Sequence, residues 1–469
     1  MGHILSTYLF PHPPMIIPEI GRGEEVQAKD TIEGVKALSQ DIKEQSPDTI
    51  IVITPHGPVF SDAIAVSIEE SLQGDFGDFG FVNISLEFEN NLDLVNEIVK
   101  RANKQGIIMA EIDESFAEDY NISKRIDHGV LVPLYFVDEL YKDYKLIHIT
   151  YGGLTPIELY KFGKIIQETI EDFNDDAVII ASGDLSHKLK EDGPYPYSPY
   201  GKKFDEKIVN ILKEGNMEEI ITFDLNLSQK AGECGLRSLM IMAGTLDSLK
   251  FDSDLLSYEG PYGVGYATAR FEITGEDGEN NLIGKINEIN QDNLDNIRKE
   301  EDEYVSLARK SLEYYVKYGE YLSLPDDISE ELLGEKKAVF VTLNKDGNLR
   351  GCIGTTEPVE ENIAMEIIRN AVSAGTEDFR FSRVEEDELE KIIYSVDILS
   401  ESEPISSIDE LDIDKYGLIV KKDFRKGLLL PNIEGIDTVE EQVSIALNKA
   451  KIGENEDYSM ERFKVISHR

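Results

Sequence analysis

Asp48-Thr-Ile-Ile-Val-Ile-Thr54 runs straight into Pro55-His56-Gly57-Pro58. A short, continuous apolar run stopped by a Pro/Gly loop reads as a parallel strand buried on both faces. Two further stretches share this construction. His3-Ile-Leu-Ser-Thr-Tyr-Leu-Phe10 leads into Pro11-His12-Pro13-Pro14, and Ala177-Val-Ile-Ile-Ala-Ser182 leads into Gly183-Asp184-Leu185-Ser186-His187. In open α/β sheets ligands bind beyond the carboxyl ends of the strands, where such loops converge. Three of the seven histidines stand there, which points to a metal or acid/base site.

Outward from these runs, residues 1–275 alternate between the two periodicities. Ile32, Val35, Leu38 and Ile42 give Asp30–Gln45 helical spacing, and residues 91–105 read as another helix before Ile107-Ile-Met109. A helix over 130–141 precedes a strand over 144–150, and a helix over 156–173, with Pro at its first turn, precedes the strand 177–182. This order predicts an α/β domain: a mostly parallel sheet flanked by helices. Residues 276–294 are polar and serve as the expected linker. In 295–469 a helix carrying Tyr304, Leu307, Ala308, Leu312 and Tyr315 leads to Ala338-Val-Phe-Val-Thr-Leu343 and the hairpin signal Asn344-Lys-Asp-Gly347. Strict alternation is lost here, so the second domain reads as a smaller α+β unit.

Ninety-two acidic residues against 47 basic ones give a formal charge of −45. Neutralising phosphates needs basic surface, so nucleic acid and anionic membrane are poor partners. No stretch approaches the roughly 18 apolar residues of a membrane span, and Met1-Gly-His-Ile-Leu lacks a basic leader region. Cys234 and Cys352 form no CxxC pair and no disulfide framework, which fits a reducing compartment. A cytoplasmic location is expected. The oligomeric state is not legible.

Two imidazoles and one carboxylate can hold Fe(II) on one face and leave positions open for substrate and dioxygen. His12 and His56 supply the imidazoles. Glu233, in Gly232-Glu-Cys-Gly-Leu-Arg237 at the start of a helix read as running to Leu249, is the favoured carboxylate. Cys234 beside it is a rival soft ligand that would shift preference toward copper or zinc. His187 and His128 are placed for proton transfer, since a neutral imidazole near pH 7 accepts a phenolic proton and returns it as an acid. Asp184 or Asp127 would orient these rings. His3 and His148, inside strands, and His468, at the chain end, receive no role.

Pro-His-Pro-Pro, Ile-Pro-Glu-Ile-Gly-Arg-Gly-Glu24, Pro-His-Gly-Pro, Asp-His-Gly-Val-Leu-Val-Pro-Leu, Ser-Gly-Asp-Leu-Ser-His and Gly-Glu-Cys-Gly, in that order, resemble the class III extradiol ring-cleavage dioxygenases of the LigB type and the related Memo proteins. The resemblance covers residues 1–275. It implies a non-haem Fe(II) site held by His12, His56 and Glu233, with His187 as acid/base, His128 facing substrate, and a catechol-like aromatic small molecule as substrate. In Memo proteins the third ligand is a cysteine, which would align near Cys234.

Residues 295–469 resemble the AMMECR-type domain through Asn348-Leu-Arg-Gly-Cys-Ile-Gly-Thr355, Asp378-Phe-Arg-Phe-Ser382, Tyr394-Ser-Val-Asp-Ile-Leu-Ser400, Lys415-Tyr-Gly-Leu-Ile-Val420 and Gly427-Leu-Leu-Leu-Pro431. The stretch 436–451 departs from the family by lacking its tryptophan. Gly351 and Gly354 permit tight backbone geometry beside Arg350 and Cys352, as a small-molecule or anion pocket would need; a bulged, packed hairpin is the competing reading. Fusion of the two domain types resembles components of AmmeMemoRadiSam systems, which implies a radical SAM protein as partner.

Overall fold

The structure, a computed structural model, describes residues 2–277, 282, 284–285, 294, 296–345, 348–431, 438–453 and 456–469. Most of the linker expected at 276–294, and the Asp346-Gly347 turn, lie outside the described residues. The chain divides into two compact units, Met1–Ile286 and Asn287–Arg469.

The strands of the first unit are β1 Ile4–Phe10, β2 Thr49–Thr54, β3 Ile64–Ser67, β4 Ser71–Phe76, β5 Phe81–Glu89, β6 Met109–Ile112, β7 Lys145–Thr150, β8 Ala177–Ser182, β9 Leu249–Glu259 and β10 Tyr266–Glu276. Eight of them form one sheet in the order β6-β3-β7-β2-β8-β1-β10-β9. It is mixed but mostly parallel: β1/β8, β2/β8, β2/β7 and β3/β6 run parallel, while β3/β7, β1/β10 and β10/β9 run antiparallel.

β2 is buried at all six positions because its side chains alternate between two cores. Ile51 and Ile53 enter one, beneath the helices Leu92–Lys104, Pro156–Asp172 and Leu236–Thr245. Ile50 and Val52 enter the other, beneath Lys29–Gln45 and His128–Asp138. Each such Ile or Val contributes about 1.5–3 kcal/mol by leaving water. Pro156–Asp172 starts on a Thr155/Glu158 capping box with Pro at its first turn. A Cβ on Gly163 would lie 1.9 Å from the Ile241 carbonyl oxygen, so a hydrogen there is what lets this helix close on Leu236–Thr245.

Three features depart from the sequence reading. Residues 71–89 form a separate two-stranded hairpin, β4-β5. The helix read as reaching Leu249 spans only Leu236–Thr245, and the one expected over 130–141 spans His128–Asp138.

In the second unit the strands are β11 Val339–Lys345, β12 Asn348–Gly354, β13 Ile392–Leu399, β14 Glu403–Ile405, β15 Gly417–Lys422, β16 Arg425–Leu429, β17 Ser459–Phe463 and β18 Val465–His468. They form two antiparallel sheets, β12-β11-β13-β18 and β14-β17-β15-β16. Helices Glu303–Tyr318 and Ile363–Thr376 pack on the first, and Val439–Ala450 on the second. No helix among the described residues is long and apolar enough to cross a membrane.

Candidate metal centre

Because β2, β8 and β1 are neighbours, the loops at their carboxyl ends meet. His12 follows β1, His56 follows β2, and Asp184 and His187 follow β8. His128 opens the helix His128–Asp138, whose N-cap is Asp127. Cys234 stands just before Leu236–Thr245. It reaches the centre because Gly183 lets the two backbones touch: a Cβ there would lie 2.1 Å from the Gly235 Cα.

Two donor groups share His12. His12, His56 and His128 form one, and His12, Asp184 and Cys234 the other; within each, the ligand atoms lie within 4.8 Å of one another. His12 Nε2 is 2.9 Å from His56 Nε2 and 3.5 Å from Cys234 Sγ. The His56 and His128 rings stack with centroids 4.1 Å apart. The Asp184 carboxylate accepts from the His12 backbone N–H at 2.9 Å, and its other oxygen lies 3.9 Å from His12 Nε2.

The hydrogen-bond network fixes the His12 tautomer. Ser182 Oγ donates to the Gly129 carbonyl at 2.5 Å. It therefore accepts from His12 Nδ1–H, at 2.8 Å. His12 Nε2 is left as a bare lone pair, aimed at the space shared with His56 and Cys234, which is how a metal-binding imidazole is held from behind.

Electrostatics agree. Burial, then the neighbouring His56, His128 and His187, push His12 well below its usual pKa. Burial and His128 bring His56 to about 4, although its outer edge is open to solvent. Burial also lowers His128. Asp184 is pushed up to about 7 by burial, and the Cys234 thiol is raised by burial and by Asp184. This site resists gaining protons on its imidazoles and resists losing them from Asp184 and Cys234. A divalent cation relieves both penalties, so the residues present fit a metal.

Glu233 lies outside both groups. Its carboxylate accepts from Ser228 Oγ and from the Leu236 backbone N–H, each at 2.7 Å, and so caps the helix Leu236–Thr245. Burial raises its pKa. His187 also lies outside the groups, with its ring stacked on Tyr195 at 5.0 Å between centroids. Burial, His56 and Lys188 bring it to about 4, so it is a neutral base at pH 7. On the other flank Phe79, at the tip of the β4-β5 hairpin, meets the His128 ring edge-on at 5.3 Å.

Sequence reasoning gave no role to Ser182 or His148. A signal existed: each is a polar residue buried in a largely apolar strand, where a polar group must find a hydrogen-bond partner. Asp127 is such a partner. Burial works to raise its pKa, but hydrogen bonds from His148 and Thr54 hold it down at about 2.

In the second unit the stretch Arg350–Gly354 is packed. Arg350 Nε and Nη2 clasp Glu388 at 3.0 and 2.9 Å, and its guanidinium also donates to the Ser382 and Arg383 carbonyls. The open faces of Gly351 and Gly354 are taken by the Ala374 carbonyl and the Phe340 ring. The Cys352 backbone N–H donates to Asp378 at 2.9 Å, and burial raises its thiol pKa.

A family model described as the catalytic LigB subunit of aromatic ring-opening dioxygenase matches residues 6–269, and the AMMECR1 model matches 305–468. A protein of Clostridium acetobutylicum is 47% identical over 463 residues, covering 98% of each chain. One of Thermotoga maritima is 50% identical over 171 residues, 35% of this chain and 98% of that one. Among solved structures, an uncharacterized Pyrococcus horikoshii protein is 31% identical over 35% of this chain and 88% of its own, with TM-score 0.33. An uncharacterized Escherichia coli K12 protein is 12% identical over 57% and 99%, with TM-score 0.38.

Proposed function

We propose, for a chain that belongs to the LigB family and carries an AMMECR1 domain behind its LigB domain, that the first unit is a metal-dependent oxidoreductase of the extradiol ring-opening type. Its substrate is a catechol-like aromatic small molecule. The observation that carries this reading is the bare Nε2 of His12, held by Ser182 and converging with His56, Cys234 and Asp184.

His12 and His56 would hold the metal, with Cys234 or Asp184 completing the set. A bound divalent ion supplies Lewis acidity to the substrate oxygens. The remaining work belongs to side chains. His187, neutral at pH 7, takes the phenolic proton at a ring nitrogen and returns it to the product. His128 stacks behind His56 and fixes its plane. Tyr195 and Phe79, half exposed beside His187 and His128, offer faces to an aromatic ring.

One observation favours a second reading. Cys234 sulfur, and not the Glu233 carboxylate, stands 3.5 Å from His12 Nε2. A thiolate donor suits copper or zinc, and a metal-binding regulator of the Memo kind, working with a radical SAM partner, would use it without turning over catechols.

The test is metal content of anaerobically purified protein, wild type beside Glu233→Ala and Cys234→Ala, followed by oxygen uptake on a catechol panel after Fe(II) loading. Uptake with near-stoichiometric iron supports the oxidoreductase. Copper or zinc lost with Cys234, and no uptake, supports the regulator. Affinity should also rise with pH between 6 and 8, by about tenfold per unit for each proton displaced. Asp184, raised to about 7, and the raised Cys234 thiol are the groups that must lose protons. The histidines are already neutral there and add no slope. Cys234→Ala should flatten the rise, which metal titration at three pH values measures.

A further inference from the structure

β7 reads Lys145-Leu-Ile-His-Ile-Thr150, and its His148 is only 5% exposed. Nothing in the reaction proposed above uses it. Its Nε2 lies 3.1 Å from Asp127 Oδ2. The other Asp127 oxygen accepts from the Gly129 backbone N–H at 2.8 Å and from Thr54 Oγ1 at 2.7 Å. Thr54 Oγ1 in turn accepts from the His56 backbone N–H at 3.2 Å.

A helix cap needs only the bond from the Gly129 N–H. Here one carboxylate joins three things: the helix that opens with His128, the loop that carries His56, and the sheet through His148. The contact is also steric. A Cβ on Gly57, next to His56, would lie 2.0 Å from Thr150 Oγ1 and 3.3 Å from His148 Nε2, so the loop rests directly on these two side chains. The cavity that His148 lines with Pro58, Ser67 and Thr150 measures about 10 Å³, room for one water at most. His148 therefore meets no substrate.

We propose that His148 is a positioning residue: through Asp127 and Thr54 it sets the spacing of His128 and His56, and so the geometry in which the metal is received. The inference rests on the reading of His12, His56 and their neighbours as metal donors. Groups that support metal ligands from behind typically change affinity by 10–100-fold when removed.

The test uses the full chain, stripped of metal and titrated with Co(II), in wild type, His148→Leu and His148→Gln. Gln carries an amide N–H that can replace the imidazole donor. His148→Leu is expected to weaken Co(II) binding about 10–100-fold and to change the visible Co(II) absorption bands. It should also speed amide exchange over residues 127–131 and at His56 in the metal-free protein. His148→Gln is expected to restore the wild-type bands and bring affinity back to within about threefold. A folded His148→Leu with wild-type affinity, bands and exchange overturns the proposal, as does failure of Gln to restore them. If His148→Leu does not fold, Thr54→Val cuts the other arm of the same network, and unchanged bands and exchange there overturn it equally. Wild type that takes up no Co(II) sinks the metal reading instead, and the metal-free exchange data then decide the positioning network by themselves.

Discussion

Replacing His12 with asparagine is expected to empty the metal centre. His12 is 2% exposed and belongs to both donor groups, so among the described residues no group of three donors survives its loss. Asparagine is the informative choice because its side-chain N–H can still donate to Ser182 Oγ, as His12 Nδ1 does. The support behind the ring is kept, and only the inward lone pair is removed. Affinity for Co(II) should fall by more than the 10–100-fold that loss of a supporting group costs, and anaerobically purified protein should carry no stoichiometric metal. Circular dichroism checks that the fold persists. Retained binding in a folded His12→Asn chain would mean that the metal sits elsewhere, with His187 the first residue to examine.

Arg350→Ala should produce the largest loss of stability in the second unit. The Arg350 side chain is 12% exposed and that of Glu388 15%, and the guanidinium ties β12 to the Ser382 and Arg383 carbonyls as well. Removing one partner of a largely buried, bidentate pair leaves the other charge short of compensation, at a cost of about 2–4 kcal/mol. Lysine is no remedy, since it cannot reproduce the fork. The loss should depend on pH. Arg350 is the main reason that the Glu388 carboxyl is held down to about 2 from its usual 4.5. A depressed carboxylate stabilises the fold above its unfolded value, and the benefit disappears as pH falls toward 2. The gap between wild type and Arg350→Ala should therefore be full at pH 7 and narrow between pH 5 and pH 2. Hydrogen exchange of the β11–β13 segments reads it in a chain that has no tryptophan. A gap that is small at pH 7 would return Arg350 to consideration as a ligand-binding group.

Much of this was legible in residue order. Three apolar runs ending in histidine loops announced parallel strands and a site at their carboxyl ends, because a strand buried on both faces has few other readings. What the sequence could not supply was neighbourhood. The order β2-β8-β1 is a long-range pairing choice, and it sets the loops of His12, His56 and Asp184 side by side. The places of Glu233 and Cys234 depend on where a helix begins. With the first turn at Leu236, the acid becomes the cap and the thiol faces His12. His148 was passed over because a histidine inside a strand resembles core filler until Asp127 appears beside it. The β4-β5 hairpin was missed because its long second strand is mostly exposed and shows no buried stripe.

The antiparallel pair at the end of the large sheet has a consequence of another kind. β9 is eleven residues long and ends the strand order on its side. A terminal strand of that length is a template on which a stranger's strand can add. Here Asp252 and Asp254 stand exposed along it with Lys250, in a chain of formal charge −45. Asp254 is held by Arg270 at 2.8 Å, but a second copy approaching edge to edge would still bring like net charge against like. Charge of one sign opposes such self-pairing, and light scattering at neutral pH should rise on adding salt, which screens it.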